Sequence, residues 1–383
     1  MSSDQVIGID LGGTAIKLAR FNRAGDVLAE LQIPTPQPPV PGAVTMALCE
    51  AIEQLDPDHL AALVGVGLPG PMDAKARVAR VCINLSGWDD VPLADWLEPR
   101  LQRQVTLAND GNCAVVGEAW LGAARGFEDV VLLTLGTGVG GGVILGGALF
   151  TGHNGAAAEP GLIGLRPDGP PCNSGNQGSL EQFASIAALR RLCDVDPKEL
   201  STRADAGDLE AKAIWQQYGT TLGVGIASLV YVFTPQRVLL GGGLAAASAH
   251  FLPAVRCEVE ARVQAVSREG LSIEPCALGN GAGCLVSVSH NHLCERRLSV
   301  VVVVVGSAAH RNHFSDSKGS EWYTNKVVEL LTRRGYDIVQ RLSALPDDDF
   351  VYWRTQGAFF PPAAGTENRR AFALKDLVER RLK

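Results

Sequence analysis

The sequence predicts an α/β fold of two lobes with a ligand held between them, and three observations lead there. Apolar runs of strand length alternate with stretches of helical spacing. A strand, a glycine turn and a second strand occur in that order twice, about 125 residues apart. Four apolar strands each run into a glycine cluster, which structure alone explains poorly. Gly accounts for 43 of 383 residues, ~11% against a usual ~7%. That excess fits a backbone that turns tightly or approaches a ligand closely.

The elements follow in order. Gln5–Asp10 is an apolar run ending near a glycine pair, and Ala15–Phe21 and Asp26–Ile33 read as the next two strands. The Pro-rich stretch Pro34–Pro41 closes that unit. Val44–Leu55 places apolar residues at helical spacing, and Ala62–Gly67 is a short buried strand. Val105–Ala108 is a strand running into a helix from about Gly111 to Leu121. Val130–Leu135 is a strand, Gly136–Gly142 a glycine turn and Val143–Phe150 the strand beyond it. Leu209–Val232 is a long helix; Val238–Leu240 meets Gly241–Gly243, and Ile273–Leu278 meets Gly279–Gly283.

Composition narrows the function classes. A net charge of −7 argues against a general nucleic-acid binder. The nine Cys are odd in number and form no C-x-x-C. That excludes a disulfide framework and a sequence-local zinc knuckle and fits a reducing cytosol. The start MSSDQVIGID has no basic stretch followed by an apolar one, so no signal peptide is expected. The longest aliphatic run, Val300–Val305, is far short of the ~18–20 residues that span a bilayer. The expectation is a soluble cytoplasmic protein with no membrane or nucleic-acid partner. Composition shifts near residue 285: residues 286–383 hold 15 Lys/Arg, 11 Asp/Glu and 10 of the 22 aromatics. The expected division is 1–108 for a first lobe, 109–285 for a second, and 286–383 for a small α+β appendage. Within the appendage Val300–Val305 suits a buried strand, Trp322–Arg334 an amphipathic helix, Phe350–Arg354 an alternating strand and Leu374–Leu382 a closing helix. No catalytic role is expected for it.

The first glycine turn reads Asp10-Leu11-Gly12-Gly13-Thr14-Ala15-Ile16-Lys17. Gly lets backbone N–H groups converge on a phosphate, and Thr adds a hydroxyl. An acidic residue at the strand end can hold Mg²⁺ through water, because that ion dehydrates reluctantly. A plain hairpin turn is the competing reading. The second turn, Thr134–Gly142, carries five Gly and two Thr in nine residues. As a hairpin without purpose it would be destabilising, so it reads as a phosphate cradle, with a Gly-rich bulge for close packing as the alternative. Asn109-Asp110 lies where a strand ends and a helix begins, the position that faces the cleft in open α/β sheets. Asp110 is either the cap of that helix or a carboxylate oriented to accept a hydroxyl proton.

These motifs, with Gly67-Leu68-Pro69-Gly70-Pro71, Glu118, Asn154-Gly155, Glu159-Pro160-Gly161 and Glu181 through Ser185, occur in one order. In that order the chain resembles the ROK sugar kinases over about residues 5–285, and most of all their glucokinases. The resemblance implies an actin-like (ribonuclease H-like) two-lobed fold, with ATP and sugar meeting in the cleft. It implies Asp10, Gly12, Gly13, Thr14, Lys17, Gly136, Thr137 and Gly138 around the ATP phosphates, with Gly242 and Gly243 near the adenosine. Asp10 would hold Mg²⁺ through water. Asn84, Asn109, Asp110, Glu159 and Glu181 would bind the sugar hydroxyls, with Asp110 the catalytic base. A homo-oligomer, a dimer, is implied as well.

The chain departs from the family at one place. Members commonly bind zinc through a His and three Cys, and those positions here hold Leu162, Cys172, Ser174 and Ser179. One ligand in four survives, where structural zinc wants four. No zinc site is expected, which resembles the cyanobacterial-type glucokinases. The missing His also removes a usual sugar contact. The reaction expected is ATP plus D-glucose to ADP plus glucose 6-phosphate. Fructose, an N-acetylated mannosamine, a polyphosphate donor and a non-catalytic sugar binder are the alternatives. Repressors of this family carry a helix-turn-helix ahead of the first turn. Only nine residues precede Asp10, so a repressor is not expected.

Overall fold

Buried from Val6 to Ile9 and again at Leu11, the first strand β1 (Gln5–Leu11) has the profile of a sheet centre. The computed structural model describes residues 5–22, 24–82, 85–278, 299–300 and 337–338. β1 pairs antiparallel with β2 (Ala15–Asn22), which pairs antiparallel with the half-exposed edge strand β3 (Val27–Pro34). On its other side β1 pairs parallel with β4 (Ala61–Leu68), and β4 pairs parallel with β7 (Gln104–Asn109). Two short strands, β5 (Ala79–Val81) and β6 (Asp89–Val91), form a separate hairpin-like pair. Helices α1 (Pro41–Leu55) and α2 (Leu93–Leu101) cover this sheet. Ile7, Ile9, Leu48 and Leu97 lose all accessible surface in their shared core, each burial stabilising by about 1.5–3 kcal/mol.

The second sheet repeats the first. Its centre is β8 (Val130–Leu135), antiparallel to β9 (Val139–Leu145), which meets the short β10 (Ala148–Leu149) antiparallel. On the other side β8 pairs parallel with β11 (Arg237–Gly241), and β11 with β12 (Ser272–Pro275). The orders β3-β2-β1-β4-β7 and β10-β9-β8-β11-β12 carry the same sequence of orientations. The duplication read from the glycine turns is therefore a duplication of sheets.

Helix α3 (Asp110–Leu121) joins the two sheets. It starts where β7 ends and packs Val115 and Val116 against Leu132 and Ile144 of the second sheet. The approach is close: a Cβ at Gly111 would lie 2.2 Å from the Gly141 carbonyl oxygen. Only glycine permits that contact, which corrects the expected extent of the second turn. Gly140, Gly141 and Gly142 belong to β9, and the turn is Gly136–Gly138 alone. The close-packing alternative thus holds for the last three glycines.

The chain then continues through α4 (Glu181–Ala184), α5 (Ile186–Leu192) and α6 (Pro197–Asp205). The long α7 (Leu209–Phe233) and α8 (Ser248–Arg262) pack on the second sheet around Trp215, Tyr218 and Phe251. No described helix is long and apolar enough to cross a membrane. By contacts the chain divides into two compact units, Met1–Cys294 and Glu295–Lys383. In the second, β13 (Ser299–Val300) pairs parallel with β14 (Asp337–Ile338). The rest of the expected strand at 301–305, and the elements expected at 322–334, 350–354 and 374–382, lie outside the described residues.

Candidate active site

Each sheet carries its glycine turn at the same end of its central hairpin, and both turns are built alike. In the first, the Gly12 amide folds back to the Ala15 carbonyl at 3.1 Å. Neighbouring groups hold the carbonyls: the Thr35 hydroxyl donates to Gly12 (2.6 Å), the Gln37 amide to Gly13 (3.1 Å) and the Thr35 N–H to Thr14 (3.0 Å). The exposed Gly13 and Thr14 amides take no partner among the described residues. In the second turn, the Gly136 amide folds back to Gly138 O (2.9 Å), and the Ile186 amide donates to Gly136 O (2.8 Å). Here the Thr137 and Gly138 amides are the unpartnered pair among the described residues. Two consecutive free N–H groups on a braced turn make a concavity suited to an anion. Thr35 and Gln37 carry no motif, and sequence reasoning missed them.

Between the turns lies the start of α3. The cap of that helix is Asn109, not Asp110: its Oδ1 accepts the Gly111 and Asn112 amides at 2.8 and 3.1 Å. Its Nδ2 donates to Gly70 O at 3.1 Å. Asn109 is therefore largely committed to the backbone, while Asp110 is not the cap and accepts the Gly111 amide (2.8 Å) and a hydrogen bond from the Asn109 side chain. Asp110 is exposed although protein crowds it, as at the floor of a concavity. Burial pushes its pKa up, the Gly111 N–H opposes this, and the nearby charge of Asp10 raises it again.

The same repulsion runs across the whole site. Burial raises the pKa of Glu159, with Asp110 and Glu181 adding to it. Burial raises that of Asp10 too, opposed by Lys17, its cross-strand partner. Asp10, Asp110 and Glu159 are thus electrostatically linked, and the charge of Glu181 acts on Glu159. Carboxylates such as Asp10, Asp110 and Glu159, held together at the cost of their ionisation, are a mark of functional sites.

The remaining expected residues fall around this series. Gly242 (φ +79°) presses on the end of β8, where a Cβ would lie 2.5 Å from Leu135 O, so Gly242 and Gly243 sit beside the second turn. A hollow of about 380 Å³ next to that turn is lined by Thr137, Ile186, Ala187 and Arg190. Arg190, also missed in the sequence, makes no hydrogen bond or ion pair among the described residues. Asn84 lies outside the described residues. At the positions where the family carries zinc ligands, hydrogen bonds link the loop: Ser174 Oγ to Cys172 Sγ (3.3 Å), Cys172 Sγ to Glu181 Oε1 (3.5 Å) and Asn176 Nδ2 to Leu162 O (2.7 Å). Among the described residues no group of three or more His, Cys, Asp or Glu could hold a metal.

Comparison with known proteins gives this geometry its setting. The ROK family matches residues 6–288. The chain belongs to the ROK family. A glucokinase of Thermotoga maritima is 35% identical over 263 residues, which are 63% of this chain and 83% of that protein. The solved ROK hexokinase of Thermus thermophilus is 35% identical with a TM-score of 0.66, covering 76% of this chain and 99% of its own. The ROK glucokinase of Streptomyces griseus, solved with glucose and AMPPNP, is 31% identical with a TM-score of 0.64, covering 74% and 97%. The fold is accordingly the actin-like two-lobed architecture of ROK sugar kinases. Regulators share the family too: the xylose repressor of Bacillus subtilis is 29% identical over 230 residues, 58% of this chain and 59% of the repressor.

Proposed function

We propose that this ROK protein is an ATP-dependent glucokinase that transfers the γ-phosphoryl group to the 6-hydroxyl of D-glucose. The observation that carries the reading is the release of Asp110 from helix capping, between two turns that each offer a pair of free amides. Phosphoryl transfer asks a protein mainly for positioning and charge stabilisation, and this arrangement supplies both. Asp110 accepts the proton of the 6-hydroxyl as its oxygen attacks the γ-phosphorus; the bond to the β–γ bridging oxygen breaks and ADP leaves. The amides of Gly13, Thr14, Thr137 and Gly138 hold the phosphates, and Lys17 adds a positive charge. Gly242, Gly243 and the hollow at Arg190 take the nucleoside end.

Asp10 fits Mg²⁺, since its carboxyl receives no hydrogen bond among the described residues and stays available to the waters that ion retains. When bound, Mg²⁺ supplies charge neutralisation on the phosphate oxygens. Glu159 and Glu181, with Asn109 and Asn84, read the sugar hydroxyls. A site built to hydrogen-bond a hydroxyl can reject an analogue lacking it by 10⁴–10⁵. The hydrogen-bonded loop at Cys172, Ser174 and Leu162 supports a zinc-free member.

The xylose repressor relative favours a second reading, a sugar-binding protein without transfer. A coupled assay with glucose, fructose, mannose and N-acetylmannosamine, each with ATP and with polyphosphate, separates the two. Glucose with ATP is expected to give the highest kcat/KM; absence of turnover with every pair would establish the non-catalytic reading.

A further inference from the structure

Glu181 carries a second set of contacts that a sugar-binding role does not explain. Its Oε2 accepts the Val139 amide at 3.1 Å, and Val139 is the first residue after the Gly136–Gly138 turn. Its Oε1 faces the Cys172 thiol, which donates at 3.5 Å. The carboxylate is thus held at one end by the Cys172 loop and at the other by the phosphate turn. Gly138 makes room for it, since a Cβ there would lie 2.5 Å from Glu181 Oε2. The segment bearing Glu159 converges on the same peptide, for a Cβ at Gly161 would lie 1.7 Å from the Val139 carbonyl oxygen. Both carboxylates assigned above to the sugar therefore sit on segments that meet the backbone of Val139.

We infer that Glu181 is a positioning residue for the phosphate turn: by receiving the Val139 amide it sets the orientation in which Thr137 and Gly138 present their free N–H groups. Sugar binding and phosphate-donor binding then share one carboxylate and are coupled reciprocally, as linkage requires. A hydroxyl donated to Glu181 stiffens a group that already braces the turn. Conversely, phosphate on the turn fixes the carboxylate that meets the sugar. The inference rests on the kinase reading for the identity of its ligands, but not for the hydrogen bond itself.

The test reads each variant with the ligand its side chain does not touch. Calorimetry measures AMPPNP binding in the absence of sugar for the wild type, Glu181→Ala and Glu181→Gln. Gln keeps an oxygen for the Val139 amide, so Glu181→Gln is expected to bind AMPPNP within about twofold of wild type. Glu181→Ala is expected to bind at least ~5-fold more weakly, the lower end of ordinary coupling. Hydrogen exchange of the peptide containing Val139 gives a ligand-independent reading. That amide should exchange faster in Glu181→Ala than in Glu181→Gln. Unchanged AMPPNP affinity in Glu181→Ala, in a wild type that binds both ligands, overturns the inference and leaves the kinase reading intact. A wild type that binds neither ligand removes the kinase reading, and Val139 exchange then decides the role of Glu181 alone. Equal exchange in both variants overturns it.

Discussion

Replacing Asp110 with Asn separates the chemistry of the site from its architecture. The amide keeps an oxygen for the Gly111 N–H, and Asn109 retains both of its capping bonds. The loss of a first-turn charge costs the helix about 0.3–1 kcal/mol. Relief from the charge of Asp10, and from the burial that already disfavours the ionised form, offsets that loss. The fold should therefore stay within about 1 kcal/mol of wild type. The reaction loses its base, and a general base contributes at least ~10²-fold, or about 2.7 kcal/mol of barrier. The barrier effect thus exceeds the stability effect several times over. ADP release under saturating glucose and ATP should fall at least ~10²-fold. Glucose affinity by calorimetry and the melting temperature should change little. Turnover within a few-fold of wild type would refute the assignment of Asp110.

Three further outcomes are expected. Because the base works only when ionised and its pKa is raised, the acid limb of kcat/KM should lie above the ordinary carboxylate range. Asp10→Asn removes one of the charges that raise it and should move that limb to lower pH; a limb that shifts upward contradicts the coupling. In the first lobe, Asp56 is fully buried with Arg103 and Arg20 and accepts the Leu60 and Ala61 amides. Burial opposes its charge, but these amides and guanidinium groups outweigh it and hold its pKa low. Its contribution is thus present above the ordinary carboxylate pKa of ~3.9 and drains away as pH falls below it. Asp56→Ala, which strands buried Arg103, should cost about 3–5 kcal/mol in a denaturant titration; a loss under 1 kcal/mol would show the cluster to be solvated. Elemental analysis of purified protein is expected to find no stoichiometric zinc, and one zinc per chain would overturn the reading of Leu162, Ser174 and Ser179.

The parts of this fold that were legible in the sequence are those carried by local pattern. β1, β4, β8 and β11 are apolar runs closed by glycine, and their positions follow directly. What local pattern misses depends on partners distant in sequence. Gly141 and Gly142 look like turn because the reason for them, the approach of Pro160 and Gly111, lies on other elements. Two adjacent side chains could each cap α3, and only the carbonyl of Gly70, 39 residues away, shows why Asn109 does so. Helices α2 and α8 contain Pro99 and Pro253, which argue against a helix on local grounds. The bond from Val139 to Glu181 spans 42 residues and has no signature short of the fold. Motif order supplied the candidate site residues; the bracing by Thr35, Gln37 and Ile186 that leaves the turn amides free among the described residues did not follow from it.

The central claim is that this site moves a phosphoryl group from ATP to glucose, and ³¹P NMR of the purified protein with ATP, Mg²⁺ and glucose tests it most directly. The account predicts that the γ-phosphate signal is replaced by that of a sugar 6-phosphate, in equal amount to the ADP formed, and only when glucose is present. ATP that persists unchanged, or that yields inorganic phosphate with no sugar phosphate, would contradict it.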